Sequence, residues 1–171
     1  MPKQKHIIIS ALGPDRPGIV SELSKVITDS DANISESRMI RLGGDFTMMI
    51  LASTAQEKID SLLDSLNQIN NIEVYTHETN LALEDDEPSE AKIVLSGTDN
   101  EGLVYSLTEK LAEHNINIIE MNTGVVNAPM SGAALFLLNG LISYNKNKLD
   151  NLKEELAKLS DELDVDIVIE G

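Results

Sequence analysis

The chain has 171 residues, 42% of them apolar, enough for one ordinary domain or two small ones with packed cores and too apolar for a disordered chain. Its formal net charge is −16, with no basic stripe in either half, so duplex DNA would be repelled and any role in transcription would run through a protein. There is no cysteine, which excludes disulfides, thiolate nucleophiles and cysteine-based metal sites and is compatible with a cytoplasmic protein.

Residues 1–13 hold an apolar stretch of only a few residues with no small-residue cleavage site after it, so no signal peptide is expected. No 18-residue apolar run offers a membrane span. Residues 5–12, KHIIISAL, form a short apolar run bounded by Gly13 and predict a strand. Next comes GPDRPG, residues 13–18. Ile19, Val20, Leu23, Val26 and Ile27 then recur at the spacing of an amphipathic helix.

Two readings of GPDRPG stand. In the first it is a helix start, with Pro17 pre-set for the first turn and Asp15 placed to cap it. In the second it is an anion site. Gly18 admits close approach to the backbone, and the N–H groups of Gly18, Ile19 and Val20 lack intrahelical partners. With the helix dipole they suit a carboxylate, while Asp15 suits an ammonium, and an α-amino acid carries both. Asn33, which follows the helix, reads either as a left-handed turn residue or as an amide reaching a neighbouring site.

Residues 33–42 and 45–53 flank Gly43 and Gly44, a hairpin signal. Ile59, Leu62, Leu63 and Leu66 mark a second helix, and IEVYTHE, residues 72–78, a last strand. Residues 81–90, with five acidic groups and Pro88, read as an exposed linker between a first domain, 1–80, and a second, 91–171. Its run of four acids lacks the alternation and glycine of a calcium loop, so no metal site is expected there.

The second half repeats the first. Residues 13–39 lie over 97–123 at a constant offset of 84 with eight identities in 27: Gly13/Gly97, Asp15/Asp99, Gly18/Gly102, Val20/Val104, Leu23/Leu107, Asn33/Asn117, Ile34/Ile118 and Glu36/Glu120. The elements follow suit. Strands are expected at 91–97, 116–126, 132–140 and 164–170. Helices are expected through Leu103 to Leu111 and Leu149 to Leu159. The order is βαββαβ, twice. Right-handed crossovers make each half a four-stranded antiparallel sheet with two helices on one face, an α+β ferredoxin-like domain. GTDNEG, residues 97–102, lacks both prolines and the arginine, and Glu101 puts a carboxylate where an anion would sit. On the anion-site reading, Gly97, Asp99, Gly102 and Asn117 are therefore the weaker counterpart of the first loop. Residues 46–52 and 133–138 are nearly all apolar, whereas a sheet covered on one face should alternate. That predicts cover for the second face from the other half or from a second copy of the chain, a homodimer.

No catalytic residue is expected. His6, His77 and His114 are far apart in sequence, no nucleophile sits beside a base, and no metal-binding HxH or HExxH spacing occurs. Aromatic residues make up only 3%, too few for base-stacking platforms, and no cofactor is implied.

Residues 11–20, ALGPDRPGIV, together with Asn33, Ile34, Ser37, Arg38, Leu42, Gly43, Phe46 and Thr47, resemble the ACT domain, an amino-acid-sensing βαββαβ module. Ala128, Pro129, Ser131, Gly132, Leu135 and Phe136 are similar to the second ACT domain of the glycine cleavage system transcriptional repressor family. The resemblance covers essentially the whole chain. It implies ligands docked against the loop after the first strand, in Gly13, Asp15, Arg16, Pro17, Gly18 and Ile19 with Asn33 closing the site. It implies a response to a small amino acid, glycine first. It also implies action on a protein partner, the activator of the glycine cleavage operon, rather than on DNA. A regulatory subunit that modulates a metabolic enzyme is the alternative.

Overall fold

The computed structural model describes residues 4–80, 88–128, 132–145 and 149–170. The chain divides into two compact units, Met1–Leu83 and Glu84–Gly171. The first contains β1 (Gln4–Pro14), α1 (Ile19–Asp29), β2 (Asn33–Leu42), β3 (Asp45–Ala55), a 3₁₀ turn at Gln56–Lys58, α2 (Ile59–Leu66) and β4 (Glu73–Thr79). The second contains β5 (Ser89–Thr98), α3 (Leu103–Glu113), β6 (Asn117–Asn127), β7 (Ala134–Tyr144), α4 (Leu149–Leu163) and β8 (Val165–Glu170).

Each unit is one four-stranded sheet, ordered β2-β3-β1-β4 and β6-β7-β5-β8, with every neighbouring pair antiparallel. The two central strands are the first and third of each half, which is the ferredoxin-like arrangement that the element order requires.

Alternation makes the cores. Ile7, Ile9 and Ala11 of β1 meet Phe46, Met48, Ile50 and Ala52 of β3 on the helix side, under Ile19, Leu23 and Ile27 of α1 and Leu62 and Leu66 of α2. The second core repeats this with Ala91, Ile93 and Leu95, Leu138 and Ile142, Leu103, Leu107 and Leu111, and Leu152, Leu156 and Leu159. Each buried Leu, Ile, Met or Phe side chain among these contributes about 1.5–3 kcal/mol relative to leaving it in water. Residues 46–52 of β3 are nearly all apolar but the burial alternates: Met48 and Ile50 are buried, while Met49 between them is 53% exposed.

Backbone irregularities recur at the same offset as the sequence. A β-bulge interrupts β2 between Ile34 and Glu36 and β6 between Ile118 and Glu120. Gly18 and Gly102 precede their helices at φ +87° and +86°. After the helices, Asp31 and Asn115 take the left-handed conformation at φ +55° and +53°. Each is followed by an N–H that closes the helix end, Ala32 to the Ile27 carbonyl at 3.1 Å and Ile116 to the Leu111 carbonyl at 2.9 Å. The left-handed role expected of Asn33 thus falls two residues earlier, at Asp31, and Asn33 and Asn117 instead open β2 and β6.

Two expected boundaries also move. Residues 81–87 of the expected linker lie outside the described residues, and Ser89 and Glu90 already belong to β5. Strand β7 runs past Gly140 to Tyr144, because Ile142 and Tyr144 keep the buried alternation.

Candidate functional site

Strand β1 ends at Pro14, and the chain turns through Asp15, Arg16 and Pro17 to Gly18, the residue before α1. Glycine is required at 18 because its φ is positive, where a side chain strains the backbone. No side chain caps the helix. Asp15 instead aims its carboxylate at Arg41 of β2, Oδ2 to Nε 3.2 Å, and its N–H donates to the Gly44 carbonyl at 3.0 Å. The capping role expected of Asp15 is therefore absent: the hairpin after β2 holds it away from the helix. Pro17 stands two positions before the first helical residue rather than in the first turn.

The helix start itself is partly committed. The N–H of Ile19 donates to the Arg16 carbonyl over 3.4 Å, and that of Glu22 to the Gly18 carbonyl at 2.9 Å. Among the described residues the N–H groups of Gly18 and Val20 donate to no backbone acceptor. Arg16 folds back over this turn and pairs with Glu22 through Nη2 and Oε2 at 2.5 Å. Nothing lies within 4 Å of where a Gly18 side chain would point, so that side of the turn is open to a ligand.

Beside the loop is a groove of about 420 Å³ lined by Leu12, Gly13, Pro14, Asp45, Asn71, Ile72 and Glu73. Gly13 forms its floor by close approach. A Cβ there would stand 2.5 Å from the Asn71 carbonyl oxygen and 2.6 Å from Ile72 Cδ1. Asp45, Asn71 and Glu73 line the groove, and the linear sequence did not indicate them. They reach the loop only through strand pairing, Gly13 to Phe46 and Leu12 to Glu73. The signal that would have found Asn71 is its place before the last strand, where it takes φ +60°.

The loop residues Gly13, Asp15, Arg16, Pro17, Gly18 and Ile19 come together, and Asn33 does not join them. Asn33 is in register with Ser53, and Gly13 with Phe46. Seven residues of β3 separate those levels, roughly 23 Å at strand spacing, so within this unit Asn33 is at the opposite end of the sheet.

The second unit has an equivalent groove of about 430 Å³, lined by residues that include Ser96, Gly97, Thr98, Ser160 and Val165. Gly97 is its close-approach glycine, with Val165 Cγ1 2.5 Å from the position of a Cβ. Asp161, Asp164 and Asp166 face it, with no basic residue in the lining. Asp99 and Gly102 sit in the turn, and Asn117 is at the far end, opposite Ser143. Pro129 and Ser131 of the resembling loop lie outside the described residues. Strand pairing sets His6, opposite Thr79, diagonally beside His77, opposite Ile8, and among the described residues no group of three His, Cys, Asp or Glu could hold a metal ion.

A hydrogen bond from Lys58, at the 3₁₀ turn, holds Asp31 below its ordinary value of 3.8, and the Glu109 carboxylate raises Tyr105. Because the folded value of Asp31 is depressed, its contribution to stability is present above pH 3.8 and is lost as the pH falls through the folded value. Lys58→Met should therefore lower the urea midpoint at neutral pH, and the difference from wild type should vanish in acid. A difference that persists in acid would mean that this pair is not its source.

Comparison with known proteins decides the family. Residues 5–81 and 92–170 each match the ACT domain, one match per sheet. The chain belongs to the ACT-domain family. Its two ACT domains, in tandem, are 28% identical over 122 residues to the glycine cleavage system transcriptional repressor of Escherichia coli. That alignment takes in 69% of this chain, which spans 64% of the length of the curated relative. The crystal structure of an unknown protein from Galdieria sulphuraria is similar over 98% of both chains, at 30% identity and a TM-score of 0.86. A solved structure described as a candidate glycine cleavage system transcriptional repressor shares the fold over 97% of this chain and 96% of its own, at 24% identity and a TM-score of 0.71. No helix among the described residues is long and apolar enough to cross a membrane.

Proposed function

We propose that this tandem ACT protein is a non-catalytic, amino-acid-responsive regulator of transcription that acts through a protein partner, the activator of the glycine cleavage operon. The observation that carries the reading is the loop at the end of β1. An uncapped helix start with an open glycine at its head lies at the same end of the sheet as a groove lined by Asp45 and Glu73. Glycine would set its carboxylate at the N–H groups around Gly18 and its ammonium toward Asp15 and the acidic groove. The likeness to the Escherichia coli repressor supports the cellular role. The ligand's effect would be a population shift: binding favours one arrangement of the protein over another and so exposes or hides the partner's surface.

Glycine is expected to bind with a dissociation constant of about 0.1–1 mM, which corresponds to roughly −5.5 to −4.1 kcal/mol. Asp15→Ala should weaken it. The variant should keep its stability to within about 1 kcal/mol, because the carboxylate it removes is in an exposed ion pair and not a helix cap. Titration calorimetry with a panel of amino acids, beside urea unfolding of the same variant, makes the test. If no amino acid binds below about 10 mM, a concentration at which the binding free energy is under about 3 kcal/mol, the loop is a helix start and nothing more.

The partner-mediated mechanism has its own test. With a net charge of −16, the protein alone should leave duplex and single-stranded DNA unshifted in a gel at physiological salt. A micromolar shift without a partner present would overturn action through an activator.

A further inference from the structure

The sheet faces opposite the helices carry a second pair of grooves, at the same place in each ACT domain, and the two have diverged. In the first domain a groove of about 230 Å³ lies over β3 beside the bulge. Its rows across the sheet run His77–Ile8–Leu51–Glu36 and Tyr75–Ser10–Met49–Arg38. The one carboxylate in its lining, on Glu36, is neutralised within β2 by Arg38 at 3.2 Å. Apolar Ile8, Met49 and Leu51 make up most of the remainder.

In the second domain the corresponding groove is larger, about 360 Å³. Its rows are Glu170–Lys92–Leu141–Glu120 and Val168–Val94–Asn139–Asn122. Glu120 repeats Glu36, but Asn122 replaces the neutralising arginine, and the cation is on Lys92, two strands away. Glu120 accepts a hydrogen bond from Asn122 Nδ2 at 3.1 Å, while Lys92 forms no ion pair among the described residues, with Glu170 beside it or with Glu120. The Asn139 amide has no hydrogen-bond partner there either. An ammonium and a carboxylate that do not pair thus flank one groove, about 10 Å apart between backbones. Leu141 lies between them, and Val94 and the two carboxamides form the next row alongside.

From this juxtaposition we infer that the open face of the second ACT domain holds a separate binding site for a small zwitterion with a further polar group. The ligand's carboxylate meets Lys92, its ammonium meets Glu120, and its polar group meets Asn122 and Asn139. A molecule with both charges satisfies both side chains at once, whereas a singly charged one leaves one of them unpaired. The volume suits a ligand of amino-acid size. This site shares no residue with the loop at Gly13–Gly18, so either stands without the other.

The test is an amide-resolved NMR titration of the full chain with L-glutamine, its N-acetyl derivative and its α-amide. Glutamine should shift the amides of residues 92–94, 120–122 and 139–141 saturably. Each derivative lacks one charge and should bind there at least tenfold more weakly. Lys92→Met and Glu120→Gln, both on exposed side chains, should each raise the dissociation constant read from those amides at least tenfold. Shifts confined to residues 13–20 and 44–45 would overturn this site while supporting the loop. Shifts confined to the groove would do the reverse. Equal binding of the neutralised derivatives, unchanged affinity in both variants, or no shift at the groove would each overturn the inference.

Discussion

Gly13→Ala is expected to destabilise the first ACT domain by about 1–3 kcal/mol, the range for forcing extra volume into a closed contact. The added methyl would stand 2.5 Å from the Asn71 carbonyl oxygen, a backbone atom that cannot rotate aside, and 2.6 Å from Ile72 Cδ1. To admit it, the turn between α2 and β4 must move off the end of β1. Gly44→Ala is the control, since nothing lies within 4 Å of that position and its φ is not positive. Urea midpoints of the two variants should separate widely. Equal midpoints would mean that the turn at Asn71 yields without cost.

Leu23→Ala should cost more, about 2.7–5 kcal/mol, as large-to-small changes do where the surroundings cannot collapse. Leu23 is fully buried at the middle of α1, packed in the core with Ile9, Ile50 and Leu62. Its repeat partner Leu107 is equally buried in the other core, so Leu107→Ala should fall in the same range. The comparison variant is Tyr105→Ala, since Tyr105 on α3 is 65% exposed and should change stability little. A Leu23→Ala loss below about 1 kcal/mol, measured by denaturant unfolding, would contradict the packing described for α1.

The helices and strands were legible because their signals are local. The spacing of Ile19, Leu23 and Ile27 marks one buried face, and those three residues are the buried ones in α1. The double glycine at Gly43–Gly44 marks the hairpin, and the offset of 84 extends the reading to the second half. What was not legible depends on partners distant in sequence. Asp15 has the composition of a cap, but Arg41, 26 positions on, captures it across the hairpin. Asn33 has the chemistry of a left-handed turn residue. The turn is taken by Asp31 because the N–H that closes α1 belongs to Ala32. Asp45, Asn71 and Glu73 entered the candidate site only when strand pairing brought β3 and β4 to the end of β1. The bulges at Ile34 and Ile118 leave no mark in the apolar pattern, although they shift every later side chain of β2 and β6 to the opposite face.

The geometry at Gly18 and Gly102 has a stereochemical consequence. At φ +87° and +86° the backbone occupies territory natural to residues of mirror-image chirality. An L-alanine at either position brings strain even though nothing lies within 4 Å of its methyl group, while a D-alanine suits the same angles. It would also remove the excess freedom that glycine gives the unfolded chain. Two proteins of identical composition and connectivity, differing only in the handedness of one carbon atom, would then lie on opposite sides of the wild type in stability.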